Sequence, residues 1–156
     1  MNLLVEELSY TSTELLKSVP IRVETNDIIV NIIGTQKGSA DLVTEDIKGL
    51  PINQHLIKIS PNENRVRATY LAIALNSNYV QKQLEQSSSG SVIPSLSLKS
   101  FESLFIPVPP FYIQDEVCQE FITKQKKIQK IEESLNNEKY ALNKMLTDLG
   151  KEEFSE

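Results

Sequence analysis

The side chains in this chain best placed for chemistry are hydrogen-bond donors rather than nucleophiles. Gly34-Thr35-Gln36-Lys37-Gly38-Ser39 sets an ammonium, a carboxamide and two hydroxyls on one polar turn between two apolar runs. A lysine on such a turn can meet a phosphate, and a glutamine can meet a base edge. A solvated hairpin turn is the other reading of the same residues. Arg65 and Arg67 stand just ahead of a helical pattern, and Lys99 lies near the serine-rich stretch 87–91. Within that stretch Ser88 and its neighbours either hold hydroxyls and amides near an anion or form a plain polar loop. The candidate nucleic-acid-contacting set is therefore Thr35, Gln36, Lys37, Ser39, Arg65, Arg67, Ser88 and Lys99.

Material for catalysis is scarce. The one histidine, His55, falls in a strand-like segment with no Cys, Asp or Glu at metal-ligand spacing, so no metal site is expected. The one cysteine, Cys118, excludes an internal disulfide and reads as a packing or surface residue. The loop at Gly34 matches neither Gly-x-Gly-x-x-Gly nor Gly-x-x-x-x-Gly-Lys-Ser/Thr, and the acids are scattered without pairing. The sequence gives no reason to expect an enzyme.

Charge constrains binding as well. The chain carries a formal charge of −5, with 9 Lys/Arg against 11 Asp/Glu in residues 1–112 and 7 against 10 in residues 113–156. Neither part is basic, so contact with a polyanion must come from a local patch or from a partner protein. Hydrophobic content of 40% with 24% charged residues is ordinary for a soluble globular chain. No apolar run approaches a membrane span, and Glu6 and Glu7 stand where a signal peptide would be basic, so a cytoplasmic location is expected.

The elements that must position these residues follow from periodicity. Ser12 or Thr13 can cap a short helix over residues 14–17, stopped before Pro20. Residues 27–33 form a β-rich apolar run, and residues 40–44 a second one, so the Gly34 loop is expected to join them as a hairpin. A turn at residues 49–51 precedes a strand of imperfect alternation over 52–59, and residues 60–64 are a turn cluster. Residues 66–75 read as a helix, and Ser77 or Asn78 caps a second one over 79–84. Residues 92–94 are expected to be extended, 97–104 a short helix, and 105–108 an edge strand, because Pro107 cannot donate to a ladder. About four short strands are expected in a mixed body.

Beyond the proline-rich stretch 107–110 the pattern changes. Val117, Phe121, Ile128, Ile131, Leu135, Leu142, Met145 and Leu149 recur at alternating spacings of four and three, with only Lys124 and Glu138 breaking the register. A seven-residue apolar repeat keeps one seam facing a partner helix and predicts a coiled coil. The expected class is α+β: a small mixed α/β recognition-like domain over residues 1–110, one long coiled-coil helix over 111–150, and a tail over 151–156.

Several stretches together resemble specificity (S) subunits of type I restriction-modification systems. Leu71-Ala72-Ile73-Ala74-Leu75-Asn76-Ser77 looks like a helix common in that family. Asn26-Asp27-Ile28-Ile29-Val30 with its following loop, and Pro51-Ile52-Asn53-Gln54-His55-Leu56-Ile57, are similar to two of its strands. Gly90 to Ser97, then Leu104-Phe105-Ile106-Pro107-Val108-Pro109-Pro110-Phe111-Tyr112-Ile113-Gln114, resemble the close of its target recognition domain, with Ile113 where a Glu is usual. The resemblance covers roughly residues 24–149. It implies a non-catalytic module that reads half of a bipartite site in double-stranded DNA, and a helix that holds two such modules apart. It also implies methyltransferase (M) subunits that dock on it and bind S-adenosylmethionine themselves, so that this chain needs no cofactor, and a restriction (R) subunit that can join them. The family's subunits carry two recognition domains and two helices, whereas this chain carries one of each. A half-length member is expected, shortened at its N-terminus, which homodimerises or pairs with a second specificity half. The competing expectation is a truncated or split member that acts only as a coiled-coil assembly protein.

Overall fold

The computed structural model describes residues 2–3, 9–11, 20–87 and 95–153, with side chains over 20–87 and 95–148. The chain separates into two compact units, residues 1–118 and residues 119–156. The first, called the head below, contains all the strands among the described residues.

Strands β1 (Asn2–Leu3), β2 (Ser9–Thr11), β3 (Ile28–Asn31), β4 (Ala40–Leu42) and β5 (Leu56–Ser60) are followed by helices α1 (Ala68–Leu75), α2 (Asn78–Ser87) and α3 (Leu98–Glu102), then by strand β6 (Ile106–Pro107) and helix α4 (Phe111–Glu153). The main sheet has the order β2-β5-β3-β4, and β1 pairs with β6 as a separate ribbon. Every pairing is antiparallel, and Val30 lies opposite Ala40 on one side and Ile57 on the other.

The unbroken apolar run of β3 has a direct explanation. Alternate residues of a strand point to opposite faces, and both faces of this sheet are covered. Ile28, Val30, Ile57 and Ile59 join α1, α2 and α3 in the larger core, with Leu71, Val80, Leu84 and Phe101. Ile29 and Leu56 pack instead against a smaller cluster of Ile21, Val23, Val43 and Ile52. Helix α1 is apolar nearly all round and buries six of its eight residues, as expected of a helix enclosed within a core.

The β3–β4 hairpin agrees with its sequence reading, with shorter strands. The strand expected over residues 52–59 is corrected: it begins at Leu56. The Asn53 side chain accepts a hydrogen bond from the His55 amide at 2.9 Å, and this local bond turns the chain at Gln54-His55. Ile52 is still buried, but in the smaller cluster rather than on the ladder. The expected strand over 105–108 narrows to Ile106–Pro107, with Leu3 opposite Ile106. Strands β1 and β2 had no counterpart in the sequence reading, so the described chain has six strands rather than about four. The helix expected over 14–17, the extended piece 92–94 and Ser88 lie outside the described residues.

Helix α4 spans 43 residues, roughly 64 Å at 1.5 Å per residue. Pro109 and Pro110 precede it, and the Pro110 carbonyl accepts the first amides, from Ile113 at 3.0 Å and Gln114 at 3.2 Å. A proline pair has no N–H to continue a helix backwards, so the helix starts cleanly here. Among the described residues, no helix is long and apolar enough to cross a membrane.

Candidate nucleic-acid interface

The loop of residues 34–39 is held from below and open above. Asn31 and Ser39 close its base, the Gly38 amide donates to the Asn31 carbonyl at 2.6 Å, and the Asn31 side chain accepts the Ile33 amide at 3.2 Å. Gly34 and Gly38 sit at φ of +79° and +87°, the left-handed region that glycine enters without cost. Thr35 and Gln36 are exposed, while Lys37 and Ser39 are half-buried.

Two helices fix this hairpin to the head through side-chain amides. Asn76, at the end of α1, accepts the Ala40 amide at 3.0 Å and donates to the Ala40 and Ala72 carbonyls at 2.6 and 2.9 Å. Gln81 of α2 donates to the Gly38 and Leu75 carbonyls at 2.9 and 2.7 Å. Asn76 was noted in the sequence only as part of a family-like stretch. Its task is to splice α1 to β4.

The remaining candidates divide between two places. Lys99 is exposed on α3 and lines a cavity of about 640 Å³ with Ile32, Ile33, Gln54, His55 and Ser97. Because Ile33 directly precedes Gly34, this cavity lies beside the hairpin loop. It also brings in Gln54 and His55, which the site reading left out. Their turn was read as strand, and a turn places both side chains at the surface. Arg65 and Arg67 sit elsewhere, against the opening turns of α4. Arg67 donates to Asp115 at 3.1 Å, and its guanidinium lies 4.6 Å from the Phe111 ring centroid. Arg65 lines a second cavity, of about 440 Å³, with Asn64, Pro109, Phe111 and Gln114.

The motif Asn26-Asp27 works on the fold. Buried Asp27 accepts the Glu24 amide at 2.7 Å and the Ser60 hydroxyl at 2.6 Å, and Lys58 lies 3.2 Å from it. Near it a charged surface cluster joins Lys48 to Glu24 and Glu45. A hydrogen bond from Thr25, with Lys48 beside it, holds the Glu45 carboxyl below the usual carboxylate range, and Thr44 does the same for Asp46. Burial pushes the Cys118 thiol up, reinforced by the nearby Asp115 charge and opposed by Arg67. A raised thiol is less nucleophilic at neutral pH. Burial likewise raises the Tyr70 hydroxyl, which donates to the Pro107 carbonyl at 2.8 Å. Among the described residues no three His, Cys, Asp or Glu side chains gather as a metal site would require.

The seam residues of α4 fall into two groups. Val117 packs against the larger core of the head. Phe121, Ile128, Ile131, Leu135, Leu142 and Met145 are 40 to 64% exposed within the single chain, and Ile122, Tyr140 and Leu146 beside them are exposed as well. The Leu149 side chain lies outside the described residues.

Comparison with known proteins places this architecture. The chain is 32% identical over 116 residues to the specificity subunit of the type I restriction enzyme EcoBI from Escherichia coli, a match covering 74% of this chain and 24% of that protein. The chain thus spans about a quarter of the length of that relative. The fold superposes on the HsdS subunit from Thermoanaerobacter tengcongensis with a TM-score of 0.59 at 18% identity, over 70% of this chain and 28% of that one. The type I restriction-modification S subunit from M. genitalium gives the same score and identity over 88% of this chain and 42% of its own. A chain from a structure of the type I system's complex assembly and conformational transition scores 0.62, again at 18% identity, over 70% of this chain and 28% of that one. Residues 6–148 match the family model for the type I restriction modification DNA specificity domain, and the chain belongs to that family.

Proposed function

We propose that this chain reads one part of a two-part site in double-stranded DNA, and that α4 pairs with a second apolar seam to hold two reading heads at a set separation. The observation that carries this reading is the exposed seam. A family head runs directly into a helix whose Phe121, Ile128, Ile131 and Leu135 are all at least 40% exposed. Fully burying each aliphatic side chain is worth about 1.5–3 kcal/mol, so a second helix laid along the seam has a large driving force. That second helix belongs to another copy of this chain or to another specificity half.

Within the head, the hairpin loop with Lys37 and the neighbouring cavity with Gln54, His55 and Lys99 form the face that meets DNA. Methyltransferase subunits dock on the assembly, bind S-adenosylmethionine and carry out the chemistry, and a restriction subunit joins them. The chain itself holds no cofactor, is non-catalytic and works in the cytoplasm. The formal charge of −5 fits this division, because partner subunits then supply much of the positive surface around DNA.

The test is co-expression with the neighbouring methyltransferase subunits, followed by mapping of methylated bases in host DNA. A single bipartite methylated motif is expected. Lys37→Glu in the assembled complex is expected to weaken DNA binding and to lower the salt slope by about 1. No association with methyltransferase and an unchanged methylation map would overturn the reading. A stable dimer without salt-dependent DNA affinity would point to an assembly protein.

A further inference from the structure

Gln114 is one of three buried polar or charged side chains in the described chain and is 1% exposed. Its Oε1 accepts the Arg67 amide at 2.8 Å, and its Nε2 donates to the Arg65 carbonyl at 3.2 Å and to the Pro109 carbonyl at 2.8 Å. One carboxamide thus ties together three backbone segments: the turn before α1, the proline pair, and the first turns of α4. We propose that Gln114 is the joint that seats the opening of α4 on the head, and thereby a positioning residue for reading two half-sites at one separation. The second part of that proposal rests on the spacer reading above.

The chemistry of the joint requires an amide. Two of its three partners are carbonyls and one is an N–H, so the side chain must donate twice and accept once. A carboxylate of the same shape accepts but cannot donate, and a thioether leaves all three backbone groups buried without their partner. Prolines 107, 109 and 110 bring no N–H of their own to this place. The alternative fasteners nearby are weaker. The Arg67–Asp115 pair has side chains 49 and 55% exposed, and exposed pairs hold geometry poorly. Arg67 over Phe111 adds a cation–π contact at the same exposed edge. The flanking Val66 and Val108 are buried, as Gln114 itself is. A buried, fully used carboxamide fixes angle as well as distance, which a greasy contact does not.

The experiment uses the full chain with Cys118→Ser and spin labels at Asp41→Cys and Glu116→Cys, both within residues 1–118, comparing Gln114, Gln114→Glu and Gln114→Met. Loss of the single narrow distance distribution is expected in both variants, while amide protection at Ile28 and Ile57 stays as in the wild type. In cells with the methyltransferase subunits, the variants are expected to methylate the same half-site bases at more than one spacer length. A merely structural loss of stability would lower methylation at every site and leave the spacer single. A distance distribution as narrow as that of the wild type overturns the joint. Broad distances with one unchanged spacer length overturn its role in positioning. If Ile128→Glu, Ile131→Glu and Leu135→Glu together leave bipartite methylation intact, it is the spacer reading that fails, whatever Gln114 does.

Discussion

The head and the helix beyond residue 118 spend the same residue types in opposite ways. In the head, Ile28, Ile57, Ile59, Leu71 and Phe101 are 0 to 1% exposed. In residues 119–148, Ile128, Ile131, Leu135 and Leu142 are 47 to 58% exposed. The head can bury its apolar residues because its chain turns back repeatedly: two sheet faces, three short helices and a ribbon give each side chain a neighbour. A single helix has no second layer within its own unit. Apolar side chains are driven from water wherever they lie, so the difference in exposure separates a part whose apolar residues are covered within its own fold from a part whose apolar residues are not.

The strongest way to break that comparison is to charge the seam. Replacing Ile128, Ile131 and Leu135 together with glutamate removes roughly 5–9 kcal/mol of burial from a paired helix. The expected outcome is loss of the dimer or of the partner complex in light scattering, with the unfolding transition of the head unmoved. An unchanged mass would show that the seam is not an interface. The complementary change lies in the head, where Phe101→Ala should cost about 3–5 kcal/mol. That is a large part of a small domain's stability. The denaturant midpoint of the head is expected to fall while association through the helix persists. If the two properties fall together, the units are not independent in the way the burial pattern implies.

Legibility in the sequence followed the same division. The long helix α4 was readable because a heptad is a regular pattern that needs no knowledge of the rest of the fold. The β3–β4 hairpin was readable because two glycines and polar residues interrupt two β-rich runs. The strand over 52–59 misled because Ile52, Leu56, Ile57 and Ile59 are all apolar, and periodicity cannot see that the Asn53 side chain turns the chain between them. Gln114 and Gln81 were missed as well. Their partners are backbone groups distant in sequence, Arg65 at 49 residues and Gly38 at 43, and nothing in a side-chain pattern marks a carbonyl as needing a donor. Family-like stretches did flag Asn76 and Gln114, but only as letters in a motif. The structure assigns them a physical task.

The smallest effect sharpens the comparison inside the head, between two glycines of one loop. Gly34 and Gly38 share a left-handed backbone, so alanine at either position carries a strain of about 1–2 kcal/mol. They differ in surroundings. A Cβ on Gly34 meets nothing within 4 Å, whereas one on Gly38 would lie 2.8 Å from Gln81 Oε1 and 3.3 Å from Leu84 Cδ1. Gln81 could swing aside, but its amide also donates to the Gly38 and Leu75 carbonyls. Moving it loosens two hydrogen bonds worth about 0.5–1.5 kcal/mol each. Gly38→Ala is therefore expected to destabilise the head by roughly 1–3 kcal/mol more than Gly34→Ala, read as the difference between their denaturant midpoints. In the background Gln81→Ala the gap should shrink, because the side chain that resists the new methyl is gone. An equal cost at both glycines would mean that α2 does not hold the loop. Lys37 would then stand on a turn tied to the helices through Asn76 alone.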